Sequence, residues 1–140
     1  MIFHAVFWWF LFILIEKIPK GYFEKGITIP KKDRSELDED VIEEENRVSS
    51  NCQNSQICVD KFSKAYKVAF KDPIVAVEQA SFAVDYGECF ALLGVNGAGK
   101  STTFKSLTNV VIPSGGKIKV RGKDITTNFA DIRHRIGYCP

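Results

Sequence analysis

Hydrophobic and polar residues divide the chain into three stretches. Residues 1–15, MIFHAVFWWFLFILI, are apolar apart from His4, and no charged side chain occurs before Glu16. Trp8, Trp9, Phe10 and Phe12 would spread around a helix instead of forming one stripe, so the pattern predicts a helix apolar on all sides. Such a helix is about 22 Å long at 1.5 Å per residue, short of a hydrocarbon core about 30 Å thick. A signal peptide would need a basic start and a small-residue cleavage site, whereas this run stays bulky and closes on IEKIPK. A buried core helix would show one apolar stripe. Residues 1–18 therefore read as the last part of a transmembrane helix, a partial span. Lys17, Lys20, Lys25, Lys31 and Lys32 follow closely, and the positive-inside rule then puts the downstream residues in the cytosol.

Residues 19–55 are polar and charged. Pro19 and Gly21 stop the first helix, and Gly26 and Pro30 disfavour another before residue 30. In SELDEDVIEEENRVSS, Ser35 and Asp38 resemble a capping box, Leu37, Val41 and Val48 fall near one face, and Glu43 and Arg47 are four apart. The pattern predicts a short, acidic, solvated helix ending near Ser49. A disordered charged linker is the competing reading of the same composition.

From residue 56 the pattern becomes that of a folded α/β segment. QICVDKFSKAY alternates in part, and PIVAVEQASFAVDYGE does so better, with Val75, Val77, Phe82 and Val84 on half-buried strands. Lys71-Asp72-Pro73 and Asp85-Tyr86-Gly87-Glu88 carry turn chemistry. CFALL is a short continuous apolar run, as expected of a strand buried on both faces. KSTTFKSLTNV then has helical spacing, with Phe104, Leu107 and Val111 predicted on its inner face.

Composition narrows the function classes. A net charge of +2 over 140 residues gives no field that calls for nucleic acid as a partner. The four cysteines (Cys52, Cys58, Cys89 and Cys139) form no C-x-x-C pair and lie near no histidine pair, which argues against zinc and redox motifs. They fit free thiols in a reducing compartment, with Cys89 a buried thiol in an apolar strand. His4 sits among apolar residues, and Arg133 and His134 read as a solvated helix face; none is assigned a role.

The strongest signal is the order of CFALL, the loop Gly94-Val95-Asn96-Gly97-Ala98-Gly99-Lys100-Ser101 and the helix after it. This is G-x-x-x-x-G-K-S between a strand and a helix, the arrangement of a phosphate-binding P-loop. Backbone N–H groups of the loop and of the first helical turn converge on one place, and the helix dipole adds positive potential there. Lys100 supplies a point charge for the β- and γ-phosphates, Ser101 an oxygen for Mg²⁺, and Thr102 a further phosphate contact.

Beyond the loop, GECFALLG, GVNGAGKST and VIPSGGKIKVRGKDI together resemble the ATP-binding cassette (ABC) transporters. DEDVIEEENRV, GVNGAGKSTTFKSLT and the final IGYCP are similar to subfamily A of that group. The resemblance is weak over residues 1–30 and strong from about residue 38. It implies that residues 56–140 are the N-terminal half of a P-loop ATPase domain with a small antiparallel β-subdomain, ATP and Mg²⁺ as its ligands. The implied partners are a second nucleotide-binding domain, transmembrane domains of the same transporter and a lipid-like cargo. It aligns Tyr66 with an aromatic residue that stacks on adenine. A strand tyrosine packed on the sheet is the plain alternative, and Phe62 and Phe70 are the neighbouring candidates. The family's glutamine loop, signature, Walker B aspartate with its adjacent glutamate, and switch histidine find no match among these residues. The expectation is a nucleotide seat without the groups that orient the attacking water, so either part of an active pump or a truncated product, a membrane-tethered binder that does not hydrolyse or an inert remnant. A GTPase would want N-K-x-D, and none occurs.

Overall fold

The computed structural model describes residues 2–16, 38–68 and 70–139. Helix α1 spans Ile2–Glu16 and α2 spans Glu39–Asn51. Strands β1, Ile57–Val68, and β2, Lys71–Val84, form a long hairpin. Helix α3, Lys100–Leu107, is followed by β3, Gly115–Val120, β4, Lys123–Asp124, and α4, Phe129–Ile132, which runs into a 3₁₀ turn over Arg133–Arg135. The four strands make one antiparallel sheet in the order β2-β1-β3-β4.

Strand β1 lies inside that sheet and carries its core on both faces. Val59 and Phe62 join Val77, Ile118, Val120, Ile125 and Ile132 in the main cluster, against which Leu107, Phe129 and Ile136 also pack. Cys58 points to the other face, where it meets Val48 of α2 and Ala83 of β2. The inside-outside alternation of a strand thus sends adjacent residues to two different cores. Near the middle of the hairpin the ladder bulges. Lys61 and Gln79 adopt positive φ values of 48° and 46°, and two serines take up the displaced amides. Lys61 N–H donates to Ser81 Oγ at 3.0 Å and Gln79 N–H to Ser63 Oγ at 2.9 Å, so both amides keep an acceptor at the bulge.

Helix α2 forms as the charge pattern predicts, beginning after Asp38, but it is not simply a solvated rod. Val48 is fully buried and Glu45 nearly so, while Val41 is exposed. Glu44 accepts a hydrogen bond from Ala83 N–H at 2.9 Å, and Arg47 donates to Ala83 O at 2.7 Å. The helix therefore satisfies the outer edge of β2 at that residue and covers part of an otherwise open strand edge. Arg47 pairs with Glu44 at 2.9 Å, one residue away from the expected Glu43 partner. The expected cap residue Ser35 and Leu37 lie outside the described residues, as do the lysines from Lys17 to Lys32.

Several other expectations are corrected. CFALL is not a strand: residues 88–95 carry no regular structure, and Phe90 and Leu93 are exposed. A strand buried on both faces needs paired neighbours on both edges, and no described strand pairs with this one, although Phe90 stacks on Phe82 of β2 at 5.0 Å. The same exposure applies to Cys89, expected to be a buried thiol. The inner face of α3 is Thr103 and Ser106, with Leu107 half-buried, while Phe104 and Val111 do not enter the core. Lys71-Asp72-Pro73 already belongs to β2, whose place at the sheet edge tolerates a proline. Finally, Cys52 and Cys58 form a disulfide, with Cα atoms 5.4 Å apart; their spacing resembles no redox motif, and only the fold brings them together.

Helix α1 is formed over 15 residues, with Trp8 donating to His4 Nδ1 at 3.2 Å across one turn. Among the described residues no helix is long and apolar enough to cross a membrane.

The packing makes a contrast between two phenylalanines. Phe62 is fully buried and Phe70 is fully exposed at the hairpin tip. Phe62→Ala is expected to lower unfolding free energy by about 3–5 kcal/mol, and Phe70→Ala to change it by no more than about 0.5 kcal/mol. Urea denaturation measures both, and equal midpoints would contradict the core assignment.

Candidate functional site

The glycine-rich loop is built against β2. Gly99 is the N-cap of α3 with φ 83°, a left-handed conformation. A Cβ on Gly99 would lie 2.5 Å from Ala76 O and 2.6 Å from Val77 Cγ2. Both the backbone angle and the contact thus require glycine. Gly97 also has positive φ, 89°, but faces open space: a Cβ there would meet nothing within 4 Å. Helix α3 begins at once after Gly99: Thr103 N–H donates to Gly99 O at 2.9 Å, and Thr103 Oγ1 adds a second bond to that oxygen at 3.0 Å. The first amides of such a helix have no intrahelical acceptor, and they carry the positive end of its dipole.

Lys100 folds back over the loop. Its Nζ donates to Gly94 O at 2.5 Å and Val95 O at 2.8 Å. Ala98 N–H donates to Val95 O at 3.2 Å, which closes the loop as a tight turn. The ammonium is thus held by neutral carbonyl dipoles, which a more negative acceptor would outcompete. Lys100 borders a cavity of about 330 Å³ shared with Ala98, Leu93, Glu78 and Glu45 of α2. Ser101 is exposed and borders a larger cavity of about 760 Å³, together with Lys105, Arg135 and Tyr138. Thr102 is half-buried beside it. Lys100 and Ser101 are adjacent in the sequence but border different cavities.

Tyr66 stands on β1, half-buried, opposite Ile74 of β2. Gly99 abuts Ala76, two residues farther along β2. Tyr66 thus stands one strand over from β2, beside a residue two positions along from the Gly99 contact. Lys64, two residues before Tyr66, is fully buried; its Nζ donates to Ile112 O at 2.8 Å and lies 5.1 Å from the Tyr66 ring centroid. Ser114 Oγ accepts from Ala65 N–H and donates to Ala65 O, each at 3.2 Å. These bonds fix the part of β1 that carries the tyrosine. Of the neighbouring candidates, Phe62 is sealed in the core and Phe70 is at the hairpin tip. Lys64 is a neighbour of Tyr66 that sequence reasoning misses; its i,i+2 spacing is the one available signal.

Residues 77–140 match the family described as ABC transporter. The retinal-specific phospholipid-transporting ATPase of Bos taurus is 40% identical over 120 residues, covering 85% of this chain, and the glucosylceramide transporter of Mus musculus is 40% identical over 129 residues, covering 91%. The ATP-binding cassette sub-family A member 2 of Rattus norvegicus is 39% identical over 75% of the chain. A solved ATP-binding subunit of an ABC transporter superposes on 61% of this chain and 34% of its own, with 32% identity and a TM-score of 0.54.

The chain belongs to the ABC transporter family.

It spans about 5% of the length of the curated relatives it matches, and carries part of a nucleotide-binding domain of subfamily A type. The matched family segment begins on β2 and includes the whole loop from Gly94 to Thr102, while Tyr66 lies before it.

Two glycines separate backbone strain from steric contact. At Gly97 alanine meets only the conformational cost of positive φ, about 1–2 kcal/mol. At Gly99 it adds the collision with Ala76 O and Val77. Gly99→Ala is expected to destabilise the chain clearly more than Gly97→Ala in urea denaturation. The reverse order would contradict the packing of the loop on β2.

Proposed function

We propose that this chain is the ATP seat of an ABC transporter nucleotide-binding domain, in a protein that couples ATP hydrolysis to movement of lipids across a membrane. The observation that carries the reading is the Gly94–Ser101 loop, closed on β2 through Gly99, with Lys100 at the first position of α3. Phosphate oxygens replace the Gly94 and Val95 carbonyls as acceptors for Lys100 Nζ, and backbone N–H groups from Gly97 to Thr102 surround them. Tyr66 stacks on adenine, its ring steadied by Lys64.

The residues present fit Mg²⁺ of a particular kind. Among the described residues no group of three His, Cys, Asp or Glu could hold a metal ion, so the protein's share is the Ser101 hydroxyl. Mg²⁺ commonly relies on one or two protein ligands plus phosphate oxygens and water, and in this reading it arrives with the nucleotide. Bound beside Ser101, Mg²⁺ would supply positive charge to the phosphates. Hydrolysis also needs groups to orient water, and in this reading a second nucleotide-binding domain and residues outside these 140 supply them.

The placement in the cell follows the same reading. Helix α1 is the end of a membrane-embedded helix, with the nucleotide-binding part on the cytosolic side. Lipid as cargo rests on the names of the relatives, two of which are phospholipid and glucosylceramide transporters.

Three variants test the seat. Lys100→Ala is expected to abolish measurable binding of Mg-ATP by calorimetry. Tyr66→Ala should weaken binding by about 1–3 kcal/mol, the range for base–aromatic stacking, and Tyr66→Trp should largely retain it. Equal affinity in Tyr66→Ala, Tyr66→Trp and the parent would remove Tyr66 from the site, and binding indifferent to Lys100→Ala would remove the loop.

A further inference from the structure

Helix α2 lies between the apolar N-terminal segment and the sheet in the sequence, and it docks on β1 and β2 through one side. Its buried apolar contact includes a small cluster, Val48 with Cys58 and Ala83, flanked by Cys52. Its polar contacts include Glu44 and Arg47 on the backbone of Ala83, with Arg47 also 3.6 Å from Asp85. A further tie is covalent: Cys52, immediately after the last residue of α2, is bonded to Cys58, the second residue of β1. Cys58 is 1% exposed, and Cys52 is half-buried.

We propose that Cys52 and Cys58 form a reversible redox clamp that sets how firmly α2 docks on the sheet. The pair is closed by a low-molecular-weight disulfide, RSSR. The Cys52 thiolate, the more accessible of the two, attacks one sulfur of RSSR, forming a mixed disulfide and releasing one RS⁻. The Cys58 thiolate then attacks the Cys52 sulfur, forming the internal disulfide and releasing the second RS⁻. The two protein thiols lose two electrons and two protons, and RSSR becomes two RSH. An excess of thiol runs the same steps backwards. In a reducing compartment the resting state is the open dithiol, and oxidising conditions close it. With the clamp closed, the chain between α2 and β1 is a short loop with fixed ends, and undocking of α2 must overcome a covalent constraint as well as the Val48 cluster. The inference does not rest on ATP binding, so it stands or falls separately.

The test uses the full chain carrying Cys89→Ser and Cys139→Ser, both exposed positions, so that only the pair can react. Incubated with oxidised glutathione, the chain is expected to lose two mass units and to protect both Cys52 and Cys58 from alkylation; dithiothreitol should restore two alkylation sites. Trypsin cleavage after Arg47, inside α2, is expected to be at least tenfold slower in the oxidised chain than in the same chain further changed by Cys52→Ser. Circular dichroism on the Cys52→Ser chain shows whether it is folded, and alkylation of the unsubstituted pair needs no such variant. Two cysteines still alkylated after oxidation, a stable glutathione adduct in place of the internal bond, or equal cleavage rates would overturn the proposal.

Discussion

The close approach of Gly99 to β2 is the contact on which the site depends. The helix that follows can start at Lys100 only because the residue before it turns left-handed while touching Ala76 and Val77. That contact fixes the loop to the sheet, and the sheet in turn carries Tyr66 on the adjacent strand. The loop amides, Lys100, the Ser101 hydroxyl and the Tyr66 ring are thereby referred to one frame. A loop free of the sheet would have to be ordered at the moment of binding, at an entropic cost of about 1–2 kcal/mol for each fixed residue.

The sheet is suited to being that frame. β1 is paired on both sides and buried on both faces, so it cannot shift without disturbing two clusters. The bulge at Lys61 and Gln79 is locked by serine hydroxyls, and the 112–114 segment is bonded to β1 through Lys64 and Ser114. By contrast, residues 88–95, which enter the loop, pair with no strand among the described residues and are mostly exposed, with Phe90 stacked on Phe82 of β2. The site therefore combines a firm side, at Gly99 and β2, with an entry segment whose order depends on what packs against it.

Much of this is legible in the sequence, and for physical reasons. The glycine turn ahead of α3 can be read because Gly97 and Gly99 take positive φ just before the helix, and strand β2 because its apolar residues alternate, although Val75 is exposed where Val77 and Val84 are buried. Other features depend on tertiary partners that no local pattern encodes. CFALL has the composition of a buried strand but no described strand to pair with. Phe104 has helical spacing from Leu107, yet only Leu107 packs on the core, and Thr103 and Ser106 are the buried residues of α3. The Cys52–Cys58 bond arises because the end of α2 turns directly into β1, and Lys64 is buried because a backbone carbonyl at Ile112 receives its ammonium.

The central claim is that Gly94 to Thr103 form a preassembled phosphate cradle that tightens on ATP. Amide hydrogen exchange over these residues, with and without Mg-ATP, measures it most directly. The account predicts slower exchange from Gly97 to Thr103 with Mg-ATP, and no such change in a Lys100→Ala chain. Unchanged exchange across the loop at saturating nucleotide, or protection that survives Lys100→Ala, would contradict it.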